Sequence, residues 1–327
     1  MQKMISGIKP TGKITLGNYL GAIKPFISYQ DEYDLSVFIA DLHALTLPIN
    51  PNELKENTFN LLAIYLASGL DPKKVTIFKQ SDIGAHTQLE WVLTCNTVLG
   101  ELTKMPQYKN FLEKNGDKPT PTGMLMYPSL MNADCLLYDS EVIPVGEDQL
   151  SHVYLARDIA EKFNKTYGET FILPKPIITK VGAKIMSLSN PTKKMSKSES
   201  DKGTIYLLED LEITRKKIMK AITDSENIVK YDIVNKPGVS NLMTIYSCLT
   251  NMSFNEIEEK YKNLGYGDFK KDLADIVCNE LKDIQEKVNN LKEENDFLQS
   301  VLMEGFLKMS VKANAKINSI YKKIGLR

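Results

Sequence analysis

Two lysines three positions apart, Lys194 and Lys197, stand in a polar stretch of the chain, residues 190–203, where positions 194–198 read KMSKS. Ammonium groups on a loop that closes over a triphosphate can follow the negative charge as pyrophosphate leaves. A solvated basic loop without a function is the simpler alternative. The spacing of the two cations favours a site for nucleotide phosphates.

A second candidate for phosphate binding lies near the N-terminus, where residues 5–21 predict a strand, a glycine-rich loop and a helix that begins near Gly17. Backbone amides at such a helix start favour phosphate, and Lys9 adds a cation to the loop. Glycine at position 17 lets a flat base approach the backbone. Thr15 and Asn18 would project to one side of the first turn. An ordinary strand–turn–helix connection is the alternative.

A third candidate is the string Gly-Glu-Asp-Gln at 146–149, which directly follows a predicted strand at 141–145. The carboxyl end of a strand in a doubly wound sheet is where ligands bind. Acidic groups there suit ribose hydroxyls, and Gln149 suits a polar group of a substrate. The alternative is that Asp148 only caps the following helix.

The fourth candidate, Asp134, lies on the apolar stripe of a predicted helix, together with Leu130, Met131, Leu137 and Tyr138. A carboxylate in such surroundings is costly unless hydrogen-bond donors face it. Segment 130–138 contains no basic residue, so the donor is either the N–H or O–H of a substrate or a group from another segment.

The elements that must position these residues change in type along the chain. Predicted strands at 36–40, 75–78, 141–145 and 204–208 alternate with helices, one of which begins at Asn50-Pro51 and stops at Gly69. This alternation predicts a doubly wound, Rossmann-like parallel sheet. We therefore expect an α/β catalytic domain at 1–208 with a helical insertion at about 85–140. An all-α C-terminal domain at 209–327 is expected from the helical patterns at 213–223, 241–249, 268–287 and 296–324.

Composition narrows the class of protein. The 327 residues carry 41 basic and 41 acidic groups and are 43% hydrophobic, which is typical of a folded protein and argues against general coating of nucleic acid. The longest apolar run, 61–67, is far below the ~20 residues of a membrane span, so an intracellular, soluble protein is expected. The four cysteines form no metal-binding or disulfide pattern and are expected to behave as small apolar residues. Three histidines exclude a histidine-rich metal centre.

The ordered motifs resemble those of one enzyme family. Residues 15–18 look like a variant of the HIGH motif, and residues 194–198 match KMSKS in full, which together resemble class I aminoacyl-tRNA synthetases. Longer strings are similar to bacterial-type tryptophanyl-tRNA synthetases, namely 17–22, 127–128, 131–134, 144–149 and 192–198. The resemblance continues through 223–226 and 236–238 and covers essentially the whole chain.

The resemblance implies a role for each site residue. Asp134 would accept the indole N–H and thereby select tryptophan. The remaining positions of the amino-acid pocket would be Tyr127, Met131, His43, Gln107 and, near the α-ammonium, Gln149. ATP would contact Lys9, Pro10, Thr11, Gly17, Asn18, Gly146, Glu147, Asp148, Ile185 (through its backbone, near adenine), Lys194, Met195, Ser196, Lys197 and Ser198. Catalysis would depend on Lys194, Lys197, Ser198 and Asn18, without a metal ligand from the protein.

The resemblance also implies the reaction. The carboxylate of tryptophan would attack the α-phosphorus of ATP in line, and Mg²⁺ would bridge the phosphates. Pyrophosphate would leave, and tryptophan would then pass to the 3′-terminal ribose of tRNA(Trp). No protein nucleophile is needed, because positioning and charge stabilisation carry such a transfer.

Partners and assembly follow from the same resemblance: a homodimer in the cytoplasm, whose C-terminal helical domain holds the anticodon end of the tRNA. Lys308, Lys312 and Lys316 form a basic stripe at a spacing of four on the last predicted helix. A solvated face that complements the helix C-terminus is the alternative for this stripe.

Several positions depart from the family pattern. Thr15 and Asn18 replace both histidines of the HIGH motif, as is usual in tryptophan enzymes. Lys9 stands where bacterial relatives often carry Gln, Ile5 where Phe is common, and Cys135 where Ile is common. A fixed cation at position 9 is expected to change how phosphate charge and Mg²⁺ are balanced.

Three other functions compete with this interpretation. A tyrosyl-tRNA synthetase shares the fold and a pocket carboxylate, but the string at 146–149 and the short helical C-terminal domain favour tryptophan. A nucleotidyltransferase with a HIGH-type loop would not need the added helical domain. A catalytically dead paralogue that binds RNA is disfavoured because the lysines of the loop, Asp134 and Gln149 are all present.

Overall fold

A five-stranded parallel sheet forms the centre of the molecule in the computed structural model, which describes residues 1–116, 118–178, 184–197 and 202–327. Its strands are β1 (Lys3–Ile8), β2 (Asp34–Ile39), β3 (Thr76–Lys79), β4 (Val142–Val145) and β5 (Lys175–Ile178). Their order across the sheet is β3-β2-β1-β4-β5, and every neighbouring pair is parallel. The predicted doubly wound fold is confirmed. The chain adds β2 and β3 on one side of β1 and then β4 and β5 on the other, so the ligand crevice is expected at this reversal, beyond the carboxyl ends of β1 and β4.

Both faces of the sheet are covered, as the apolar character of its strands requires. Met4 and Val37 belong to one buried cluster, while their neighbours Ile5 and Phe38 belong to another on the opposite face. This alternation follows the two-residue period of a strand. The sheet is therefore a buried, rigid platform for the loops at its carboxyl edge.

Helices connect and cover the strands. In the first part of the chain they are α1 (Leu16–Asn18), which continues through a π-helical turn (Tyr19–Ile23) into α2 (Lys24–Glu32), then α3 (Asp41–Ala44), α4 (Pro51–Ala67), α5 (Ala85–Cys95), α6 (Leu99–Leu102), α7 (Pro106–Asn115), α8 (Thr122–Leu136) and α9 (Leu150–Tyr167). The later helices are α10 (Leu211–Met219), α11 (Pro237–Thr250), α12 (Phe254–Lys260), α13 (Tyr266–Glu293) and α14 (Asn295–Lys323). The predicted helical C-terminal region is confirmed.

The ends of α4 show how local sequence sets these boundaries. The side chain of Asn50 accepts hydrogen bonds from the amides of Asn52 and Glu53, and Pro51 occupies the first helical position. Gly69, just beyond the helix, has a φ of +112° that a larger residue rarely adopts. The predicted start of α4 at Asn50-Pro51 and its predicted stop at Gly69 are both confirmed.

Two strand predictions need correction. Residues 204–208 do not join the sheet; they pair with the loop before α1, where the Leu16 amide donates to the Ile205 carbonyl at 2.9 Å. Their alternating pattern reflects burial of Ile205 and Leu207 against that loop. Conversely, β5, which contains Pro176, was not among the predicted strands. Proline is tolerated there because β5 is an edge strand.

Helix α14 returns from the helical region to the sheet. Its Lys308 ammonium donates to the Thr76 hydroxyl at 2.7 Å, and its Lys316 ammonium binds the Asp139 carboxylate and the Thr170 carbonyl. Lys312, the middle lysine of the predicted basic stripe, is exposed and forms no such contact with the described part of the chain. Two of the three lysines therefore hold α14 against the sheet and its adjoining loops, a role that was not predicted for the stripe.

At Gly305, α14 lies directly against β3. A Cβ built at this glycine would lie 1.8 Å from the Ile77 carbonyl oxygen. We expect Gly305→Ala to lower the free energy of unfolding by about 3 kcal/mol, because helix and strand must separate. Chemical denaturation of the full chain measures this change. In the matched control Gly267→Ala, a helical glycine whose Cβ would meet nothing within 4 Å, stability is expected to stay within about 1 kcal/mol of the parent. Equal effects of the two substitutions would contradict a role for close packing at Gly305.

The cysteines behave as expected with one exception. Cys135 and Cys278 are buried and Cys248 is half-buried, whereas Cys95 at the end of α5 is exposed.

Among the described residues, no helix has both the length and the apolar character that crossing a membrane requires.

Candidate active site

The carboxyl edge of the sheet gathers most of the predicted site. Lys9 follows β1, His43 lies in α3 just after β2, and residues 146–149 follow β4. Gln80, which was not predicted, directly follows β3. Since the strands are parallel, these segments from four strands meet at one edge.

The two phosphate-binding candidates lie against each other. A Cβ built on Gly12 would contact the Cβ of Lys197 at 3.6 Å, and the Lys197 ammonium donates to the Lys9 carbonyl at 3.1 Å. The Met195 amide donates to the Ile185 carbonyl at 2.9 Å, which fixes the start of the KMSKS loop. The structure thus brings the N-terminal loop and the KMSKS loop together as far as Lys197. Ser198 lies outside the described residues.

Thr15 and Asn18 form a reciprocal cap at the start of α1. The Asn18 amide donates to the Thr15 hydroxyl at 3.2 Å, and the Thr15 amide donates to the Asn18 side-chain oxygen at 3.2 Å. Thr15 is fully buried, so it serves the helix start rather than a ligand. The side-chain nitrogen of Asn18 makes no hydrogen bond to the described residues and can donate to a phosphate.

Gly17 stands beside Ile185 and Met195, whose Cβ atoms would lie 3.5 and 3.6 Å from an added Cβ. These are ordinary contact distances, so the protein itself does not require glycine here. We expect Gly17→Ala to leave thermal stability unchanged or slightly higher and to raise the KM for ATP about tenfold, because the methyl group would occupy the space predicted for the nucleotide. Steady-state kinetics and thermal unfolding measure the two effects. Gly100→Ala, at an open position, is the control. An unchanged KM for ATP in Gly17→Ala would remove Gly17 from the site.

Burial, and secondarily the charge of Lys9, lowers the pKa of Lys197 to about 8. Burial also lowers the pKa of Lys9, whose ammonium lies 5.2 Å from the centre of the Tyr127 ring. The two ammonium groups repel each other, and an anion bound between them would offset this repulsion. This arrangement favours a polyphosphate ligand.

The pKa of Lys197 predicts a pH dependence. A lysine with a lowered pKa is charged below about pH 8 and loses its charge as the pH rises through that value. We expect kcat/KM for ATP to fall about tenfold per pH unit above this inflection, because only the ammonium form binds phosphate. In Lys9→Gln the inflection is expected at higher pH, because a neighbouring cation is lost. Kinetics at saturating amino acid across the alkaline range measure both. A profile without this alkaline limb would contradict the role of Lys197 in binding ATP.

Lys194 reaches the acidic string after β4. Its ammonium lies 3.6 Å from a carboxylate oxygen of Asp148, and both side chains are about half exposed, so the pair contributes little to stability. Partial burial raises the pKa of Asp148, but a hydrogen bond from Gln149 and the charge of Lys194 outweigh it and hold the pKa below its usual value. The ion pair joins the KMSKS loop to the predicted ribose-binding segment.

A chain of hydrogen bonds continues from Asp148 into the interior. The Gln149 side-chain amide donates to Asp148 at 3.0 Å, and Gln107 donates to Gln149 at 2.9 Å. His152 bonds to the side-chain oxygen of Gln107. Burial, and then the charge of His43, lowers the pKa of His152 to about 4, so this ring is neutral at physiological pH. With one nitrogen donating to Gln107, the other is an acceptor.

Asp134 is buried at the inner end of the site and accepts three hydrogen bonds. His43 donates to it at 2.8 Å, Gln80 at 2.7 Å and His86 at 2.7 Å. Burial raises the pKa of Asp134, but the hydrogen bonds from the two histidines outweigh burial and lower the pKa below its usual value. Donors from other segments therefore do face Asp134, which is a carboxylate anion, and they leave open whether a ligand supplies a further donor.

Aromatic rings lie between Asp134 and the two loops that carry Lys9 and Lys197. The Tyr127 ring lies 4.4 Å from the His43 ring and 6.0 Å from the His152 ring, measured between centroids. The second nitrogens of both histidines are buried and have no partner among the described residues. Met131 is half-buried one turn along α8 from Tyr127. Polar atoms without partners beside an aromatic surface are typical of a site for a small, amphipathic ligand.

Sequence reasoning missed Gln80, His86, Tyr138 and His152 as members of this site. One signal was present: the chain has three histidines, and the structure places all of them here. Several predicted residues lie in the same loops without a side-chain hydrogen bond to the described residues: Pro10, Thr11, Glu147 and Ser196.

A separate cleft of about 780 Å³ between α4 and α14 is lined by none of the predicted site residues.

Comparison with known proteins agrees with this geometry. The family model for tRNA synthetases class I (W and Y) matches residues 1–282. The tryptophan–tRNA ligase of Caldanaerobacter subterraneus subsp. tengcongensis is 47% identical over 327 residues, which cover 100% of this chain and 99% of that protein. The tryptophanyl-tRNA synthetase structure from Mycoplasma pneumoniae is 36% identical, with a TM-score of 0.94 over 100% of this chain and 98% of the other.

A second solved structure, tryptophanyl-tRNA synthetase from Campylobacter jejuni complexed with ADP and tryptophan, is 34% identical. Its TM-score is 0.82, and the match covers 99% of this chain and 100% of that one. The family model covers most of the chain, and the relatives match over nearly their full length. The chain therefore belongs to the class I aminoacyl-tRNA synthetases, in the bacterial tryptophanyl branch.

Proposed function

We propose that this chain is a tryptophan–tRNA ligase that activates L-tryptophan with ATP and transfers it to tRNA(Trp). The observation that supports this most strongly is the unbroken series of contacts from Lys197 through Lys9, Tyr127 and His43 to Asp134. Cations that suit a triphosphate lie at one end of this series, and a buried anion that suits a side-chain N–H lies at the other. A carboxylate held between these ends would face the α-phosphate.

Adenylate formation then needs positioning and charge. Asp134 accepts the indole N–H, while Tyr127 and Met131 line the ring. Gln149 and the neutral His152 offer oxygen and nitrogen acceptors to the α-ammonium. The tryptophan carboxylate attacks the α-phosphorus in line, and Lys194 and Lys197 stabilise the charge that moves to pyrophosphate. Ser198 belongs to the same proposed set through its place in the motif.

The nucleotide would lie across the carboxyl ends of β1 and β4. Gly17 would face the base, Asn18 and residues 9–11 the phosphates, and residues 146–148 the ribose. Ile185 would meet adenine through its backbone amide, since its carbonyl is already bonded to Met195. Mg²⁺ would neutralise phosphate charge through the oxygens of ATP, because the side chains nearest the phosphates are lysines and cannot ligate a metal.

The tRNA, the assembly and the location complete the proposal. Residues 1–208 form the catalytic domain with its insertion at about 85–140, and the helices of 209–327 bind the anticodon end. The chain acts as a homodimer in the cytoplasm, where tRNA and ATP are found. Because Lys308 and Lys316 are occupied by contacts with the catalytic region, Lys312 is the cation of that stripe available to RNA.

A charging assay tests this proposal. Purified chain, ATP, Mg²⁺ and labelled tryptophan are incubated with tRNA(Trp) transcript, and acid-precipitable label is measured. Tryptophan is expected on tRNA(Trp) and not on a tRNA(Tyr) transcript of the same source. Adenylate formation without charging of either transcript would contradict the transfer step. Sedimentation of the same preparation measures the expected dimer.

A further inference from the structure

The two oxygens of Asp134 differ in their surroundings. Oδ1 accepts from Gln80 at 2.7 Å and from the Nδ1–H of His86 at 2.7 Å, whereas Oδ2 accepts from His43 at 2.8 Å. A carboxylate has about four acceptor positions, two on each oxygen. Oδ1 is therefore saturated by protein donors of the described chain, and Oδ2 retains one position.

His86 can donate to Oδ1 because its other ring nitrogen has a partner of its own. A carboxylate only accepts, so His86 Nδ1 must carry the proton in this bond. The other ring nitrogen, Nε2, lies 2.7 Å from the Tyr138 hydroxyl, and in the neutral ring this nitrogen accepts from that hydroxyl. Burial, together with the charge of Asp134, raises the pKa of Tyr138, so this hydroxyl keeps its proton. Phe38 and Phe78 pack about the His86 ring, with ring centroids 6.1 Å away.

We propose that Tyr138, His86 and Gln80 form a positioning clamp that saturates one oxygen of Asp134 and leaves the other with a single acceptor position for the substrate N–H. This inference rests on the proposed function, since it concerns how tryptophan is selected. The clamp residues contact Asp134 or each other and not the substrate. Their effect is to fix where the one remaining acceptor points, and hence how strongly a side chain without a donor is rejected.

The test compares two substrates that differ in the donor alone: tryptophan and β-(benzothiophen-3-yl)alanine, in which sulfur replaces the indole N–H. The measured quantity is the ratio of their kcat/KM values in amino-acid-dependent ATP–pyrophosphate exchange. The parent chain is expected to prefer tryptophan by at least about 100-fold. Tyr138→Phe and Gln80→Met are expected to reduce this ratio about tenfold, and His86→Leu more, while kcat/KM for the benzothiophene stays within about threefold.

Conservative variants and a matched control separate positioning from folding. His86→Asn keeps an amide donor near the position of Nδ1 and is expected to restore part of the ratio lost in His86→Leu. Tyr246→Phe removes another buried hydroxyl, bonded to Lys260 at 2.7 Å in the helical region, and is expected to leave the ratio unchanged. If His86→Leu does not fold, the one-atom change Tyr138→Phe decides the question.

The outcomes are distinct. A loss of preference confined to tryptophan, with rescue by His86→Asn, supports the clamp. Equal losses with both substrates, or an unchanged ratio in Tyr138→Phe and Gln80→Met, would overturn it while leaving the ligase function intact. No exchange with tryptophan in the parent chain would overturn the proposed function and the clamp together.

Discussion

Lys197→Ala is expected to lower kcat for tryptophanyl-adenylate formation by about 10²–10³-fold and to leave the Kd for tryptophan within about twofold. The reason is geometric: the Lys197 ammonium bonds to the carbonyl of Lys9 in the phosphate-binding loop, away from Asp134. In the proposed mechanism its charge stabilises the negative charge that builds on the leaving pyrophosphate. Single-turnover adenylate formation and equilibrium binding of tryptophan measure the two quantities separately.

Lys193→Ala is the matched control for this variant. Lys193 is an exposed lysine that immediately precedes the KMSKS motif, and its removal is expected to change neither quantity by more than about twofold. Equal losses of adenylate formation and of tryptophan affinity in Lys197→Ala would show that the lysine supports the whole site. That result would contradict the role assigned to it.

Asp134→Asn is expected to lower kcat/KM for tryptophan about 10³-fold with little change in the KM for ATP. The amide keeps the shape of the carboxylate, but its nitrogen is a donor that must face either a histidine N–H or the substrate N–H. A donor facing a donor loses the hydrogen bond and buries both groups without a partner. For the same reason the free energy of unfolding is expected to fall by about 1–3 kcal/mol.

The control for this variant is Asp272→Asn. Asp272 accepts hydrogen bonds from Tyr261 at 2.6 Å and from Lys260 at 3.1 Å in the helical region, so it loses comparable contacts far from the site. A loss of stability without a loss of tryptophan activation is expected there. If Asp134→Asn retained parental kcat/KM for tryptophan, the indole N–H would have another acceptor, and Asp134 would not be the residue that selects tryptophan.

Much of the architecture is visible in local sequence. Apolar runs predicted three of the sheet strands at nearly their observed positions, because buried parallel strands read as continuous Val, Ile and Phe. Asn50 and Gly69 marked the two ends of α4 for the reasons of capping and backbone conformation that the structure displays. The motifs likewise singled out the two loops that the structure brings together at Lys9 and Lys197.

What could not be predicted depends on contacts between distant segments. The donors to Asp134 lie between 48 and 91 residues away from it in sequence, and the sequence around α8 does not indicate which residues they are. The same limit applies to Lys308 and Lys316, which looked like a basic stripe and instead anchor α14 to segments far earlier in the chain. Burial of a polar group can be predicted from the periodicity of the sequence, whereas its hydrogen-bond partners can be identified only from the three-dimensional fold.

Amino-acid-dependent ATP–pyrophosphate exchange, measured with Mg²⁺ and each of the twenty standard amino acids in turn, tests whether the two loops and the Asp134 pocket form one active site for tryptophan. Exchange with tryptophan alone is predicted, because the carboxylate of Asp134 presents an acceptor at the inner end of the site and Lys194 and Lys197 lie at the other end, where the phosphates are proposed to bind. Exchange with tyrosine in place of tryptophan would contradict the assigned substrate. The absence of exchange with any amino acid, even after tRNA is added, would contradict the existence of a single adenylate-forming site.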